Sequence, residues 1–508
     1  MRFAKKEARL RRNRIPLEPY GDVARSAGMD RSGTFGMPCG TGGIRKVGYL
    51  DEQSQEEHLR NVRGFQKGFF PDGFATGFSM NLEKVRSEIP GRLMRIAERI
   101  RAAGGKCYLV GGFVRDAMLG RDSRDFDVEV YGIGQDALLK ILSDFGRPNL
   151  VGKAFGVVHL ASKGLDLDFS FPRTENKIGE GHRGFLVETH LHLTFAEAAL
   201  RRDFTVNAMG LSLPELELSD PYDGKGDLDR HLLRHVSPAF AEDSLRVLRG
   251  VQFASRFSLK LAPETAELCR SLSLADLSSE RIFEEFKKWL LKPGCPSFGL
   301  RAFLEMDLSR FFPEIRPLGD SFENLGILLD NISCELSAVE DSVSKEVLAF
   351  TALLSGAGNV SEVNGFLSRI TNEVKLLKRV PELYRMLPLF VEKARRLNFD
   401  AEFLRRASVS LGGLSLVYPY LKSTPFLEEN ARTDAAESMK LSAEKIGVFD
   451  AAPEPFLKGA DLLAMGLKPG PRIGEIIRME FERQLQGKIL SREDALLFAR
   501  NSISSETA

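Results

Sequence analysis

Histidine is confined to the first half of this 508-residue chain: there are seven, and none lies beyond His235. A histidine-based metal hydrolase domain therefore cannot be assembled from the C-terminal half. The five cysteines (Cys39, Cys107, Cys269, Cys295 and Cys334) form no CxxC pair and no metal-ligand spacing. That argues against a zinc site and a secreted disulfide framework, and the expected setting is a reducing cytoplasm. No apolar run approaches the roughly 18 residues that suggest a membrane span, and the N-terminus lacks the apolar core of a secretion signal. An excess of one charge is missing too: 71 basic against 70 acidic residues leave a net charge of +1. No overall field draws nucleic acid, so any RNA contact must come from local patches. No repeat stands out at the periods that mark solenoids.

What is present is ordinary globular composition, 43% hydrophobic and 28% charged, in a chain too long for one core. Residues 1–80 differ from the rest. They open with the basic run Lys5–Arg14 and then become rich in Gly, Ser and Phe without a clear period, which predicts a largely disordered tail, with Met80 as an alternative start. Apolar residues at helical spacing from Leu82 to Ile100 predict a helix over 81–103. Strands are expected at Cys107–Val110, Asp125–Val130, Gly156–Leu160 and Leu165–Phe171, together a small mixed sheet. Beyond Pro238 the pattern turns helical: Glu242–Phe257, Pro263–Leu272, Ser279–Leu291 and Ser297–Met306 read as helices, and the rest stays helical to Ser504. The fold class is α+β, a mixed-sheet head followed by an all-α remainder.

Three segments carry chemistry. The first is Gly111-Gly112-Phe113-Val114-Arg115-Asp116, followed by Asp125-Phe126-Asp127. Paired glycines let backbone approach phosphate closely, a following helix start supplies oriented N–H groups, and Arg115 offers a planar fork of donors for a triphosphate. Residues 125 and 127 share a strand face, so their carboxylates can converge on one hard divalent cation, and Asp168, with Asp166, repeats the geometry on a second strand. The second segment is Arg201-Arg202-Asp203-Phe204-Thr205-Val206-Asn207. It is either a helix start capped by Asp203, or a set of phosphate- and sugar-binding groups. The third is Glu242-Asp243-Ser244-Leu245-Arg246 with Arg249. Asp243 and Arg246, three apart, either pair with each other on a helix surface or present an acceptor and donors to a base. In the second case they match the pairing edges of cytosine and adenine and reject uracil and guanine.

These residues resemble the class II tRNA nucleotidyltransferase and bacterial poly(A) polymerase family. The matching stretches are Leu109–Gly120 with Asp125-Phe126-Asp127, Asp168 ahead of Pro172-Arg173-Thr174-Glu175, Arg201–Met209, Asp220-Pro221 with Gly224, Glu242–Arg249 and Ser279–Phe286. A looser match runs from Lys458-Gly459-Ala460-Asp461-Leu462 to Pro471. The chain is most similar to a CCA-adding enzyme without a C-terminal HD phosphohydrolase domain.

The resemblance implies a five-stranded polymerase-β-like nucleotidyltransferase head at 81–235, a helical neck at 236–310, and a helical, tRNA-binding body and tail at 311–508. It implies Asp125, Asp127 and Asp168 as catalytic carboxylates holding two Mg²⁺ ions. Gly111, Gly112 and Arg115 fall on triphosphate contacts, while Arg202, Asp203 and Asn207 fall on a second nucleotide-binding motif. Asp243 and Arg246 match the protein template that reads CTP and ATP, with Arg249 as a further nucleotide contact. Ser279-Glu280-Arg281-Ile282 matches a neck motif that steadies the template helix.

The implied reaction adds CCA to the tRNA 3′ end with release of pyrophosphate. CC-only addition, A-only addition and poly(A) synthesis use the same head motifs, and a non-catalytic RNA-binding protein is the reading from another class. Leu150–Phe155 partly matches a poly(A) polymerase signature, but Ala154 stands where that pattern prefers a basic residue. The loop that separates these activities is expected within Lys177–Leu193. Acceptor-stem and elbow contacts are expected from basic clusters: Lys375, Lys378 and Arg379; Lys393, Arg395 and Arg396; or Arg405 and Arg406, each of which otherwise reads as a solvated helix face.

Overall fold

The computed structural model describes residues 79–151, 157–162, 165–177, 185–189, 193–292 and 294–504. The N-terminal tail, the altered signature around Ala154 and most of the loop expected within Lys177–Leu193 lie outside the described residues. The chain divides into two compact units: one runs to Pro313, and the other from Glu314 onward apart from residues 369–371. Among the described residues, no helix is long and apolar enough to cross a membrane.

The first unit begins with two helices where one was expected, α1 (Leu82–Glu88) and α2 (Gly91–Ala102). Pro90, which has no N–H to continue the helix, separates them. The sheet is built from β1 (Lys106–Val110), β2 (Phe126–Tyr131), β3 (Arg147–Val151), β4 (Val157–Ser162), β5 (Leu165–Ser170), β8 (Gly210–Leu213) and β9 (Leu218–Ser219). Its order is β3-β4-β5-β2-β1-β8-β9. Every pairing is antiparallel except β2 with β5. The sheet thus has seven strands rather than five, because the β8–β9 hairpin extends the edge beside β1. A separate hairpin, β6 (Arg173–Lys177) with β7 (Phe185–Thr189), follows β5.

Between β1 and β2 lies the short helix α3 (Gly112–Met118), and after β2 comes α4 (Gln135–Ser143). Strand alternation sorts the sheet's two faces. Leu109, Val128, Val130, Leu167 and Phe169 are buried on one, as are Leu93, Ile96 and Ile100 of α2 and Leu138 and Leu142 of α4. On the other face, Tyr131 and Val110 pack with Phe195, Ala198 and Ala199 of α5 (Phe195–Ala199). Gly210 is required here, since a Cβ would run into the Phe195 ring. This second face changes character along β2, from Asp125 and Asp127 at its start to Tyr131 at its end.

After the sheet, α6 (Gly224–Asp229) packs on the 3₁₀ turn Thr205–Asn207. A Cβ on Gly224 would strike the Thr205 carbonyl oxygen. The Asp220 carboxylate accepts from the Gly224 and Lys225 amides at 2.7 and 2.9 Å, while buried Asp227 accepts from the Thr205 hydroxyl at 2.7 Å. Between the paired short strands β10 (Leu232–Leu233) and β11 (Lys260–Leu261) lies α7 (Leu245–Phe257), and after β11 come α8 (Pro263–Ser271), α9 (Ser279–Leu291) and α10 (Pro296–Glu305). α7 packs on both α9 and α10. The helix expected from Glu242 starts three residues later. Pro238–Glu242 instead forms a 3₁₀ turn, so Asp243 stands before α7 rather than inside it.

The second unit is helical among its described residues: α11 (Phe322–Glu335), α12 (Ser342–Leu353), α13 (Val360–Ile370), α14 (Val374–Arg395), α15 (Ala401–Leu411), α16 (Val417–Ser423), α17 (Glu429–Lys445), α18 (Gly459–Ala464), α19 (Pro471–Leu485) and α20 (Arg492–Ser504). α14 has buried Leu376, Val380, Leu383, Leu387 and Phe390 along one stripe, at the spacing of an amphipathic helix. A satellite core of Leu457, Leu462, Ile476, Ile489, Ala495 and Ala499 holds the last three helices together.

Candidate active site

Register places the expected carboxylates. On the parallel pair β2–β5, Asp127 and Asp168 are direct partners, and on β4–β5 Asp168 is opposite His159. His159, Asp168 and Asp127 therefore form a row across three adjacent strands on one face. Leu109 pairs with Val128, so β1 ends beside Asp127 and delivers the glycine turn there. Gly111 has φ +68, a backbone geometry glycine adopts without strain.

The electrostatics follow from that crowding. Burial, then the neighbouring charges of Asp125 and Asp168, push the Asp127 carboxyl up to about 6, with Arg202 pulling the other way. Part of Asp127 still reaches solvent, yet protein mass on most sides weakens its hydration. Asp168 turns Oδ1 toward His159 Nδ1 at 2.7 Å. Among the described residues no three Asp, Glu, His or Cys side chains already converge on one point. Asp125, Asp127 and Asp168 lie on one face, near enough that the charges of Asp125 and Asp168 act on Asp127.

The residues expected to contact nucleotide are brought together, several as partners of one another. Arg115 is 4% exposed. Its Nε and Nη2 donate to Asp116 Oδ1 at 2.9 and 2.8 Å, its Nη1 donates to Asn207 Oδ1 at 2.6 Å, and its guanidinium lies 4.2 Å from the Phe257 ring centre. Asn207 Nδ2 donates to Asp203 Oδ1 at 3.0 Å, and the other Asp203 oxygen receives Arg249 Nη2 at 2.6 Å. Burial would raise the Asp203 carboxyl, but Arg249, Asn207 and the Phe204 amide hold it below the usual range. Asp203 is therefore not the cap of an α-helix; with Asn207 it ties α3 to α7. Arg115, Asn207 and Asp203 form a continuous buried chain behind the site, which ends on the partly exposed Arg249.

Asp243 and Arg246 do not pair with each other, which removes the surface ion-pair reading. Arg281 Nη2 reaches both Asp243 oxygens at 3.2 Å. Arg246 donates from Nη1 to the Ala239 carbonyl at 2.7 Å and from Nη2 to the Arg201 carbonyl at 2.6 Å. Both side chains are partly exposed, and each is held by neighbours that leave further donors or acceptors open. Ser244 anchors the same corner through Asp276 Oδ1 at 2.6 Å.

Two participants had escaped sequence reading. Glu129, on the face of Asp125 and Asp127, is fully buried and receives Arg201, Arg202 and the Tyr131 hydroxyl. The two guanidiniums and the tyrosine overcome its burial and hold its carboxyl below the usual range. Period-two alternation through Asp125, Asp127, Glu129 and Tyr131 was the available signal. The second is His159, whose partner is known only once the register of β4 is.

Comparison with known proteins places this geometry. Residues 107–234 match the poly A polymerase head domain, and residues 258–318 match the probable RNA and SrmB-binding site of polymerase A. Over these two stretches the chain is similar to the class II tRNA nucleotidyltransferase and poly(A) polymerase family. It is similar to the Multifunctional CCA protein of Xanthomonas oryzae pv. oryzae, with 40% identity over 221 residues, 42% of this chain and 52% of that protein. The chain thus spans about half the length of the curated relatives it matches. Its fold resembles the Bacillus stearothermophilus CCA-adding enzyme in complex with CTP, with TM-score 0.60 and 20% identity over 83% of this chain and 100% of that one. It also resembles the Thermotoga maritima CCA-adding enzyme complexed with tRNA, with TM-score 0.58 and 19% identity over 83% and 98%. These two likenesses establish the polymerase-β-like head with a helical remainder.

Proposed function

We propose that this protein adds CCA to the 3′ end of tRNA, transferring CMP and AMP from CTP and ATP with release of pyrophosphate. The observation that carries the reading is the register pairing of Asp127 with Asp168 beside the Gly111-Gly112 turn: clustered carboxylates next to a backbone turn open to phosphate. The related protein named for CCA, and the similar folds solved with CTP and with tRNA, support the choice of substrates. A binding protein without catalysis would gain nothing from like charges gathered near an RNA backbone.

The donor set fits a hard divalent cation, since it is made of carboxylate oxygens, and burial together with the neighbouring carboxylates raises the proton affinity of Asp127. Asp125, Asp127 and Asp168 would hold Mg²⁺, which supplies charge neutralisation at the triphosphate and acidifies the attacking hydroxyl. The chain's own groups do the rest. Gly111 lets phosphate approach the backbone, and Arg202 stands beside it. The hydrogen-bonded chain from Arg115 to Arg249 fixes that turn relative to α7. Asp243, oriented by Arg281, accepts from the exocyclic amine of cytosine or adenine. Arg246, oriented by two carbonyls, donates its remaining hydrogens to the adjacent ring nitrogen or carbonyl. Uracil and guanine present the opposite pattern and leave both groups unpaired, which costs binding.

The deciding experiment supplies tRNA transcripts lacking the terminal CCA, CA or A with Mg²⁺ and each nucleotide separately, and sequences the products. Addition of C to the first two and of A to the third supports the proposal. Long A tails on unrelated RNA would replace it with poly(A) synthesis, and C or A alone with a partial activity.

A further inference from the structure

Glu129 lies on β2 two residues beyond Asp127 and on the same face, yet it is closed off from solvent, its side chain 1% exposed. Oε1 accepts from Arg201 Nη2 at 3.1 Å, and Oε2 accepts from Arg202 Nη2 at 3.3 Å and from the Tyr131 hydroxyl at 2.8 Å. Two guanidiniums thus converge on one buried carboxylate. The position of Arg202 shows where its remaining donors are directed. Its Nη1 donates to the Asn207 carbonyl at 3.3 Å and stands 3.3 Å from the point a Cβ on Gly111 would occupy. Its field also reaches Asp127, whose carboxyl it acts to lower. The guanidinium is thus stationed between the glycine turn and the aspartates. An arginine is a planar fork whose value to a phosphate depends on its orientation before contact. Glu129 and the Asn207 carbonyl supply that orientation from behind, and Tyr131 fixes the plane of the Glu129 carboxylate.

We propose that Glu129 is a positioning residue for the polyphosphate of the incoming nucleotide, holding Arg202 beside Gly111 so that the guanidinium meets phosphate oxygens already aligned. The inference rests on the nucleotidyl-transfer reading above and adds to it a residue on which the grip on the leaving pyrophosphate depends.

The test measures pyrophosphate binding by calorimetry in Mg²⁺ buffer, together with steady-state transfer kinetics, on the full chain. Variants are Glu129→Ala, Glu129→Gln, Arg202→Ala and the Glu129→Ala/Arg202→Ala pair. Losing an aligned charged hydrogen bond predicts that Glu129→Ala weakens pyrophosphate about tenfold. The KM for CTP rises by a similar factor, while kcat changes less than about threefold. Glu129→Gln, which keeps an acceptor and the side-chain shape, falls between wild type and Ala. In the Arg202→Ala background the Glu129→Ala change has no further effect on binding, because its route is already gone. An equal further loss in that background, or unchanged pyrophosphate affinity in Glu129→Ala beside an active wild type, overturns the proposal alone. A wild type that neither binds pyrophosphate nor transfers nucleotide overturns it together with the transfer reading.

Discussion

Burial and the neighbouring Asp125 and Asp168 push the Asp127 carboxyl up to about 6 from the usual 3.8, so without a cation this residue opposes folding at neutral pH. The sign follows from proton binding. Between these two values the folded state binds more protons than the unfolded state, and stability falls as pH rises through that window. Asp127→Asn should therefore raise the melting temperature at pH 7 in metal-free buffer. The advantage should shrink to nothing below about pH 4, as scanning calorimetry across pH can show. Added Mg²⁺ should stabilise the wild type at pH 7 and leave Asp127→Asn unmoved. Asp203 is the opposite case, a buried carboxylate that its neighbours keep charged. Asp203→Ala strands the Arg249 and Asn207 donors and should cost about 3 kcal/mol in chemical denaturation. At this scale much of the site could be read from residue order, because Asp125, Asp127 and the glycines are close in sequence and share one strand–turn–helix. The alternation placed Glu129 on the same face but not its role, which depends on arginines some seventy positions away. Arg115 also reads differently once folded: its donors point at Asp116 and Asn207, which no spacing rule foretells.

Among the elements, α9 packs on α7 and reaches the corner just before it through Arg281, which pairs with Asp243. Arg281→Ala should leave the fold intact and free the Asp243 carboxylate to rotate. Incorporation of U or G relative to C or A should then rise about tenfold, the worth of one oriented charged hydrogen bond. Competition assays with paired nucleotides check this, and unchanged selectivity would remove Arg281 from the selecting corner. Periodicity located α9 and the strands of the head, since burial on one face leaves a strong pattern. It failed where local chemistry overrode the pattern. Pro90 split the first helix, and a 3₁₀ turn from Pro238 displaced Asp243 from helical phase. The displacement sets the pairing: Asp243 stands before the helix and meets Arg281 rather than Arg246.

For the whole molecule, a net charge of +1 means that RNA affinity must come from particular surfaces. The expected cluster at Arg405 and Arg406 is largely committed within the protein: Arg406 pairs with Glu402 and Glu482, and Arg405 donates to the Leu485 carbonyl. Lys393 pairs with Asp400 at 2.7 Å. Lys375 and Lys378 at the start of α14, and Arg395 and Arg396 at its end, are exposed. Charge reversal at Lys375 and Lys378 should weaken tRNA binding and make the dependence of log affinity on log salt shallower by about one to two units. Reversal at Arg406 should lower stability instead. Sequence alone found both kinds of cluster and could not rank them, because ion pairing across helices is invisible until they pack. The claim on which the account rests is that the paired aspartates of β2 and β5 perform nucleotidyl transfer, and its most direct measurement is incorporation of labelled CMP and AMP into tRNA lacking CCA by wild type and Asp127→Ala under Mg²⁺. The account predicts complete CCA addition by the wild type and a loss of at least about a thousandfold, or roughly 4 kcal/mol of transition-state stabilisation, in the variant. Undiminished incorporation by Asp127→Ala, or none by the wild type, would contradict it.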